Sequence, residues 1–423
     1  MTEEVLKKQI AKPEGKVRYW MLLVLFLAFM VAYFDRANVA VLVADKAFTD
    51  ALGVTGDKAS MGLFLTSFLL LYGLTSFFAG PIIQRFGTKK VLGWAMIIWA
   101  ILMLVMGSVS SFILFIVCRA ILGIAEAVTG PVSSKIIQTW FPVQERAKAN
   151  SVWYIGILVA QVTAMPLIAG FVSAFGWRGS FYGLIILGLL PIIACFVLVY
   201  DEVSRHPRVT KEEADYIAAG RVENTDATAS KGVSFQFLKM SNFWFVIIVN
   251  AMVMGCTWGI IAWLPTYLKA TLGFSWAAMG GLAALPYAAG AVSVIVLSPV
   301  MDRMNSRALF TAICAIGLTV SLYLATVVTS SAAAVILICL AMCCISVGTV
   351  SVYVILQNIC KANEIATATG FLTAFGYTFA SLFPYLMGAL YNKTGAFTTA
   401  FYLLVSLGVI AVLASIPLWK RRL

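Results

Sequence analysis

The sequence contains few charged residues and almost no histidine. Asp, Glu, Lys and Arg make up 11% of its 423 residues, and His206 is the only histidine. The sequence shows no plausible catalytic triad, nucleotide-binding loop or metal cluster, so we predict neither an enzyme nor a cofactor nor a metal site. The eight cysteines lie in or beside apolar segments, where free Cys behaves as a small apolar residue. His206 lies in a charged stretch before Pro207, so we expect it to be solvated.

Apolar residues dominate instead, at 61% of the chain. Runs of about twenty apolar residues, the length that crosses a bilayer as a helix, recur along its whole length. We therefore predict an all-α polytopic membrane protein with twelve transmembrane helices in two six-helix halves. The predicted spans are 19–44, 60–83, 91–108, 111–138, 148–174, 179–200, 242–268, 276–300, 307–328, 332–358, 365–390 and 397–418.

The distribution of basic residues predicts the orientation, because cytoplasmic loops carry an excess of Lys and Arg. With both termini in the cytoplasm, only five of the 30 Lys and Arg residues fall outside, and two more lie within the membrane. The net charge of +12 then reflects topology and attraction to anionic membrane lipid rather than nucleic-acid binding. The five outside residues are Lys46, Lys58, Arg178, Lys269 and Lys393.

Polar segments divide the chain into four parts. Residues 1–18 form a cytoplasmic N-terminal segment, and 19–200 form the first six-helix bundle. The polar stretch 201–241 reads as a cytoplasmic central loop, in which KEEADYIAAG is a candidate short surface helix and the rest a flexible linker. Residues 242–423 form the second bundle, with a short basic cytoplasmic tail.

Four ionisable residues interrupt the apolar runs: Asp35, Arg36, Arg119 and Glu126. Arg119 and Glu126 are seven residues apart, close to two helical turns, so both side chains project from one helix face. Ionisable groups at membrane depth are costly and normally mark a transport pathway. All four lie in the first half, and the predicted second-half spans carry such residues only near their ends. The first half is therefore expected to handle charge and coupling, while the second shapes the pocket.

Each of these charges has two interpretations. Arg36 has a planar fork that matches a carboxylate, with Tyr33 three residues earlier on the same face, so the two could bind an anionic substrate. Alternatively, Arg36 forms a structural ion pair with an acid of the fourth span. Asp35 and Glu126, with Arg119 as their partner, are candidates for proton coupling, because burial raises a carboxyl pKa and a nearby arginine lowers it. The alternative is permanent ionisation, locked to Arg119.

Polar and aromatic residues in other spans are candidate pocket residues, although interhelical packing or interface anchoring explains any one of them equally well. Together with Tyr33 and Arg36, the predicted substrate-binding residues are Tyr72, Tyr154, Gln161, Trp258, Tyr287, Tyr353, Gln357 and Tyr377.

The two halves repeat a short turn. GPIIQRFGTKK follows the second span and SPVMDRMNSR follows the eighth, and the same cytoplasmic turn at corresponding places is typical of duplicated transporters. The residues predicted to form this gating turn are Gly80, Arg85, Gly87, Lys89, Asp302 and Arg303.

With twelve helices, a central loop and this turn, the chain resembles the major facilitator superfamily. YFDRANVAV, RAILGIAEA, WFPVQERAKA, FGWR, HPRVTKEEADYI and WLPTYL further resemble the anion:cation symporter family, which includes bacterial sugar-acid permeases. The resemblance implies a secondary active transporter in the bacterial inner membrane. It further implies a monomer that takes up a small organic anion by proton-coupled symport, with Na⁺ as the less favoured coupling ion.

Departures from that pattern bear on substrate and gating. Gln84 replaces the acid usual in the family's cytoplasmic turn, which would weaken a gating ion pair in this half. Ile157 and Ala374 stand where sugar-acid permeases of the family tend to carry Gln and Asn, although Gln161 lies one turn beyond Ile157. The loss of two polar contacts favours a substrate with fewer hydroxyls than a hexonate, or one that binds differently.

Other functions in the same superfamily stay open but are less favoured. Drug antiporters usually show a glycine-rich motif in the fifth span, of which MPLIAG keeps only Pro166 and Gly170. Exchangers of phosphorylated compounds tend to place Arg in both halves, and the second half has none at membrane depth. A transporter-like sensor would usually need an added signalling domain.

Overall fold

The structure is a computed structural model that describes residues 15–219, 236–303, 306–360 and 364–420, and these residues are helical, with no β-strand among them. The helices of the first half are α1 (Val17–Leu42), α2 (Lys46–Ala51), α3 (Lys58–Ser76), α4 (Ala79–Phe86), α5 (Thr88–Ser108), α6 (Phe112–Glu126), α7 (Thr129–Trp140) and α8 (Val143–Leu198). The central loop contributes α9 (Lys211–Ala219). The helices of the second half are α10 (Ser241–Thr266), α11 (Trp276–Arg303), α12 (Arg307–Val327), α13 (Ser331–Ile359), α14 (Ile365–Ala380), α15 (Leu382–Thr394) and α16 (Phe397–Lys420).

Short polar side chains start several of these helices, because they accept hydrogen bonds from backbone N–H groups that the first helical turn leaves free. Asp57 accepts from the N–H groups of Ala59 and Ser60 at the start of α3. Although burial opposes it, the hydrogen bonds from Ser60, Asn392 and Ala59 lower the pKa of the Asp57 carboxyl.

The helices are consistent with twelve spans. Ten helical segments of the described residues are long and apolar enough to cross a membrane. One of them, Lys148–Leu198, has 51 residues and would extend for about 75 Å as a single helix, more than twice the hydrocarbon thickness. It contains two predicted spans, which meet at the non-helical backbone of Gly176. The eleventh predicted span is divided at Ser381 into α14 and α15, each too short to cross alone.

Each half packs as a bundle, and the halves meet along a few helices. In the first half α1 packs on α8, α3 on α6, and α5 on α8 and α6. In the second half α13 packs on α11 and α12, and α16 on α10 and α12. Between the halves, α3 packs on α14 and α15, α8 on α11, and α1 on α10.

The first part of the central loop is docked, contrary to the predicted flexible linker and solvated histidine. The predicted short helix exists as α9, but Glu213 and Ile217 are buried against the first half. His206 is only 7% exposed, because the rings of Trp140 and Tyr200 pack against it. Burial, with a smaller contribution from the charge of Arg208, lowers the pKa of His206. Residues 220–235 of the predicted linker lie outside the described residues.

A charged cluster holds this docked segment to the start of α1. The fully buried Arg18 donates to Glu145 of α8 and to Glu213 of α9, each at 3.0 Å. Glu213 also accepts from the backbone N–H groups of Val17 and Arg18, which caps α1. The cluster therefore joins α1, α8 and α9 at the predicted cytoplasmic end.

Removing Arg18 should destabilise the protein strongly. In Arg18→Ala the buried Glu213 loses its charged partner, and breaking a buried pair in this way costs about 3–5 kcal/mol. Arg205→Ala is the matched control, because its pair with Glu202 is 75% and 54% exposed and should contribute less than about 1 kcal/mol. Thermal unfolding of the detergent-solubilised variants measures both, and equal melting temperatures would contradict a stabilising role for the cluster.

Candidate functional site

Two buried ion pairs join α1 to α6 at the centre of the first half. Nε and Nη2 of Arg36 donate to Oε2 of Glu126 at 3.1 and 2.9 Å. Nη1 of Arg119 donates to Oδ2 of Asp35 at 2.7 Å, and its Nε donates to the carbonyl oxygen of Phe64 at 3.2 Å. All four side chains are at most 6% exposed. Asp35, Arg36, Arg119 and Glu126 thus form one layer of two neutral pairs.

Close packing of α6 on α3 positions these groups. A side chain at Gly123 would overlap the carbonyl oxygen of Phe68, so glycine lets the two backbones approach. At this distance Arg119 reaches back to the carbonyl of Phe64 on α3 while its charge meets Asp35 on α1.

The ion-pair partners of Arg119 and Glu126 lie on α1 and not on their own helix. Arg119 and Glu126 share α6, yet each pairs with a residue of α1, so of the two acids it is Asp35, not Glu126, that pairs with Arg119. The structure does contain the ion pair between Arg36 and an acid of the fourth span. Oε1 of Glu126 is buried without a hydrogen-bond partner in the described part of the chain.

Aromatic rings of both halves enclose the guanidinium of Arg36. Its central carbon lies 4.6 Å from the ring centre of Tyr33, 4.9 Å from that of Tyr72, 5.3 Å from that of Phe68 and 5.8 Å from that of Trp258. These distances fit cation–π contacts, which strengthen where water is excluded. Because Trp258 belongs to α10, the enclosure spans the interface between the halves.

The remaining predicted pocket residues separate into two groups. Tyr377 joins the aromatic enclosure, with its ring 4.5 Å from that of Tyr72 and 5.8 Å from that of Trp258. Tyr353 lies near Tyr154 and Tyr377, and Tyr154 lies near Tyr33, so both belong to the same region. No described contact connects the other three predicted residues to Arg36: Tyr287 is buried, Gln161 half-buried and Gln357 exposed.

Phe68 and Asn38 of this region are not among the residues predicted from the sequence. Phe68 lies under both Arg36 and Arg119, but a phenylalanine in an apolar helix cannot be told from its neighbours by sequence. Asn38 is fully buried, and neither its Oδ1 nor its Nδ2 has a partner in the described chain. Asn38 lies one turn after Asp35 in an apolar run, and this position is the signal in the sequence that marks it.

The gating turn has an acid from another segment. Oδ1 of Asp201 accepts from Oγ1 of Thr88 at 2.5 Å and from the backbone N–H of Lys89 at 3.0 Å. Asp201 also fills the space beside Gly87, which has a φ of +82° that favours glycine. Asp201 therefore anchors the turn in which Gln84 replaces the usual acid.

The other predicted turn residues contribute less in this structure. Arg85 is exposed and lies over the ring of Phe86, and a side chain at Gly80 would meet open space. The side chains of Asp302 and Arg303 lie outside the described part of the structure.

The halves are joined at the end predicted to face outside. Nδ2 of Asn392 donates to Oδ1 of Asp57 at 2.6 Å, and the N–H of Lys58 donates to Oδ1 of Asn392 at 2.8 Å. Nζ of Lys269 donates to the carbonyl oxygen of Ala44 at 2.9 Å. Below this seal the Thr66 hydroxyl donates to the Ser381 carbonyl at 2.6 Å, where the eleventh span is interrupted.

Known proteins place this arrangement in a family. The sequence pattern of the Major Facilitator Superfamily matches residues 25–384. The probable L-galactonate transporter of Escherichia coli (strain K12) is 26% identical over 90% of this chain and 84% of its own length. The probable sulfoacetate transporter SauU of Cupriavidus necator is 28% identical over 96% and 94%. The hexuronate transporter of Bacillus subtilis (strain 168) is 25% identical over 93% of both chains.

Solved structures share the fold at lower identity. The D-xylose-proton symporter has a TM-score of 0.76 at 16% identity and covers 96% of this chain and 98% of its own. A bacterial homologue of the human lysosomal transporter Spinster has a TM-score of 0.76 at 18% identity, over 97% and 98%. The chain belongs to the Major Facilitator Superfamily and is a multi-pass membrane transporter rather than an enzyme.

Proposed function

We propose that the chain takes up a small organic anion by proton-coupled symport, with Arg36 binding the anion and Glu126 carrying the coupled proton. The observation that carries this proposal is the Arg36–Glu126 pair, which lies inside aromatic rings from both halves. A charge placed there contacts both halves and so favours one arrangement of the halves over another. The protein is then a monomeric carrier of the inner membrane with both termini in the cytoplasm.

The geometry of Arg36 couples the anion to the proton by competition. Nε and Nη2 form one edge of the guanidinium, and both donate to Glu126. The same edge suits the two oxygens of a substrate carboxylate or sulfonate, and it cannot serve both anions at once. Protonation removes the negative charge of Glu126 and releases Arg36 for the substrate. One proton taken up with one monovalent anion keeps the buried charge at zero.

Asp35 and Arg119 have a different role in this proposal. Both side chains are fully buried, and Arg119 is further fixed by the carbonyl of Phe64. We assign this pair to holding α1 against α3 and α6, so that Arg36 and Glu126 keep their relative positions. Buried, hydrogen-bonded pairs of this kind hold helices in register more than they add stability.

The relatives support the substrate class. They include transporters named for galactonate, hexuronates and sulfoacetate, all of which are organic anions. Among the described residues at membrane depth, Arg36 is the arginine that aromatic rings of both halves enclose, which fits a substrate with one acidic group. The buried Ile157 and Ala374 leave two polar positions of sugar-acid permeases unfilled, which favours a small or less hydroxylated anion.

The seal at Asp57, Lys58 and Asn392 supports a state closed to the outside. In the predicted orientation Tyr154 and Gln357 lie toward the cytoplasmic side, and both are exposed. The structure then represents an inward-facing arrangement of an alternating-access cycle, from which the anion leaves into the cytoplasm.

Glu126→Gln tests the coupling. We first identify the anion by thermal shift with galactonate, glucarate, glucuronate and sulfoacetate, because a ligand of the folded state raises its melting temperature. In proteoliposomes, Glu126→Gln should then abolish accumulation driven by a pH gradient. It should retain exchange of labelled for unlabelled anion, since exchange requires no net proton release.

Glu202→Gln is the matched control, since Glu202 is exposed and pairs only at the surface. This variant should accumulate the anion like the wild type. Accumulation by Glu126→Gln at the wild-type level with a pH gradient alone would exclude Glu126 as the proton carrier.

A further inference from the structure

A small cavity in the first half is lined by Glu126 but not by Arg36. Its volume is about 30 Å³, and α1, α5, α6, α7 and α8 line it. Small residues create the space, among them Ala28, Ala32, Ala95, Ala125 and Gly188. We call it the Glu126 chamber.

The chamber is lined by residues of two apolar clusters, one of which extends into the second half. One cluster contains Trp99, Met103 and Leu122, and continues toward the end predicted to face outside. The other contains Met21, Leu25 and Val132 and fills the predicted cytoplasmic end. Where they meet, the lining combines Leu92, Met96 and Trp99 with small residues that leave space between them.

Two polar atoms of the chamber lining have no hydrogen-bond partner in the described protein: Oε1 of Glu126 and Nε1 of Trp99. Leaving a buried donor or acceptor unsatisfied costs about 1–3 kcal/mol, and more for a charged group, so such atoms normally bind ordered water. A cavity holds a water when it offers about 10–15 Å³ and polar partners. The chamber meets both conditions for about two waters.

The chamber lining lies entirely within the first half. No ring of the Arg36 enclosure and no residue of the second half belongs to it. Rocking of one half against the other would therefore leave it intact, whereas the site around Arg36 and Trp258 would open and close.

We propose that water in the Glu126 chamber hydrogen-bonds Oε1 of Glu126 and Nε1 of Trp99, and that this water is the route by which Glu126 exchanges its proton. On release, the O–H bond of the carboxylic acid breaks, the proton joins a chamber water to form hydronium, and the hydronium gives one of its protons to the cytoplasmic water beyond the chamber. The electron pair stays on Glu126, whose carboxylate then recaptures Arg36. This inference rests on the proposed coupling role of Glu126 and adds to it a path that is separate from the substrate.

Hydroxyl-radical footprinting with pulsed X-rays tests for the water without any substrate, because radicals formed from bound water label the side chains that it touches. Trp99 and Trp177 are 5% and 4% exposed, so Trp177 is a matched control outside the chamber. Trp99 should be labelled at least about threefold faster than Trp177 in the wild type. In Ala95→Val, which fills the chamber, the rate at Trp99 should fall to that of Trp177. Equal rates at both tryptophans in the wild type would overturn the proposal.

Transport of labelled galactonate, glucuronate and sulfoacetate tests the proton route. Ala95→Val and Trp99→Phe should lower the rate of uptake driven by a pH gradient at least about fivefold and leave anion exchange within about twofold of wild type. Matched controls on the same helix are Ala100→Val and the lipid-exposed Trp94→Phe, which should match the wild type. Ala95→Ser keeps a small side chain at this position and adds a hydroxyl that can hydrogen-bond water, so it should also match the wild type.

The outcomes separate this inference from the proposed function. If Glu126→Gln loses pH-driven accumulation but Ala95→Val and Trp99→Phe keep the wild-type rate, the chamber is not the proton route while the coupling role stands. If uptake and exchange fall together in these two variants, the lining is merely structural, which also overturns the proposal. If Glu126→Gln itself still accumulates the anion, the proposed function fails first.

Discussion

Arg36→Lys is expected to lower the affinity for the transported anion by a factor of about 10–100, and Arg36→Ala to abolish binding. Lysine keeps the positive charge but cannot present two parallel N–H donors to one carboxylate, and a hydrogen bond to a charged group contributes about 1.5–3 kcal/mol. The aromatic enclosure also fits a planar guanidinium better than an ammonium, because the rings of Tyr33 and Tyr72 lie within 5 Å of its centre.

Direct binding of the anion selected by thermal shift measures this effect independently of the transport cycle. Arg178→Lys is the control, since Arg178 lies at the end predicted to face outside, where it donates to Ser110 at 2.8 Å. It should bind the anion like the wild type. Near-normal affinity in Arg36→Ala would show that another group holds the anion and that the Arg36–Glu126 pair is only structural.

The sequence identified the charged centre because charge is rare in this chain. Asp35, Arg36, Arg119 and Glu126 stand out in apolar runs, and all four meet in one layer. Their partners could not be predicted, because pairing depends on how α1 and α6 are rotated against each other. The orientation of α6 follows from contacts with a third helix, such as Gly123 against Phe68 of α3, and the periodicity of one helix does not contain it.

The docked loop and the Glu126 chamber could not be predicted from the sequence, for different reasons. His206 reads as solvated from its charged neighbours, yet Trp140 and Tyr200, distant in sequence, bury it. The Glu126 chamber arises where small residues of several helices meet. A single Ala or Gly in a membrane helix does not by itself predict a cavity. Gln84 was noticed as a departure, but the acid that anchors the turn, Asp201, comes from the start of the central loop.

Neutralising Asp35 alone should be strongly destabilising, and removing Arg119 with it should reverse most of that loss. In Asp35→Leu the fully buried Arg119 keeps only the carbonyl of Phe64 as a partner. An uncompensated buried charge costs about 3–5 kcal/mol, whereas replacing both members of a buried pair by apolar residues is often neutral or stabilising. The melting temperature of Asp35→Leu/Arg119→Met should therefore return to near the wild-type value.

The same double variant distinguishes a structural pair from a proton carrier. If Asp35 and Arg119 only hold α1 against α3 and α6, the double variant should still accumulate the anion from a pH gradient, since Arg36 and Glu126 remain in place. If Asp35 carries a coupled proton, the double variant should be folded and bind the anion but fail to accumulate it. The result sets the number of protons that the site can couple: one through Glu126 in the first case, and at least one through Asp35 in the second. Accumulation and melting temperature must be measured on the same preparation, because only a folded variant that fails to accumulate would move the coupling role to Asp35.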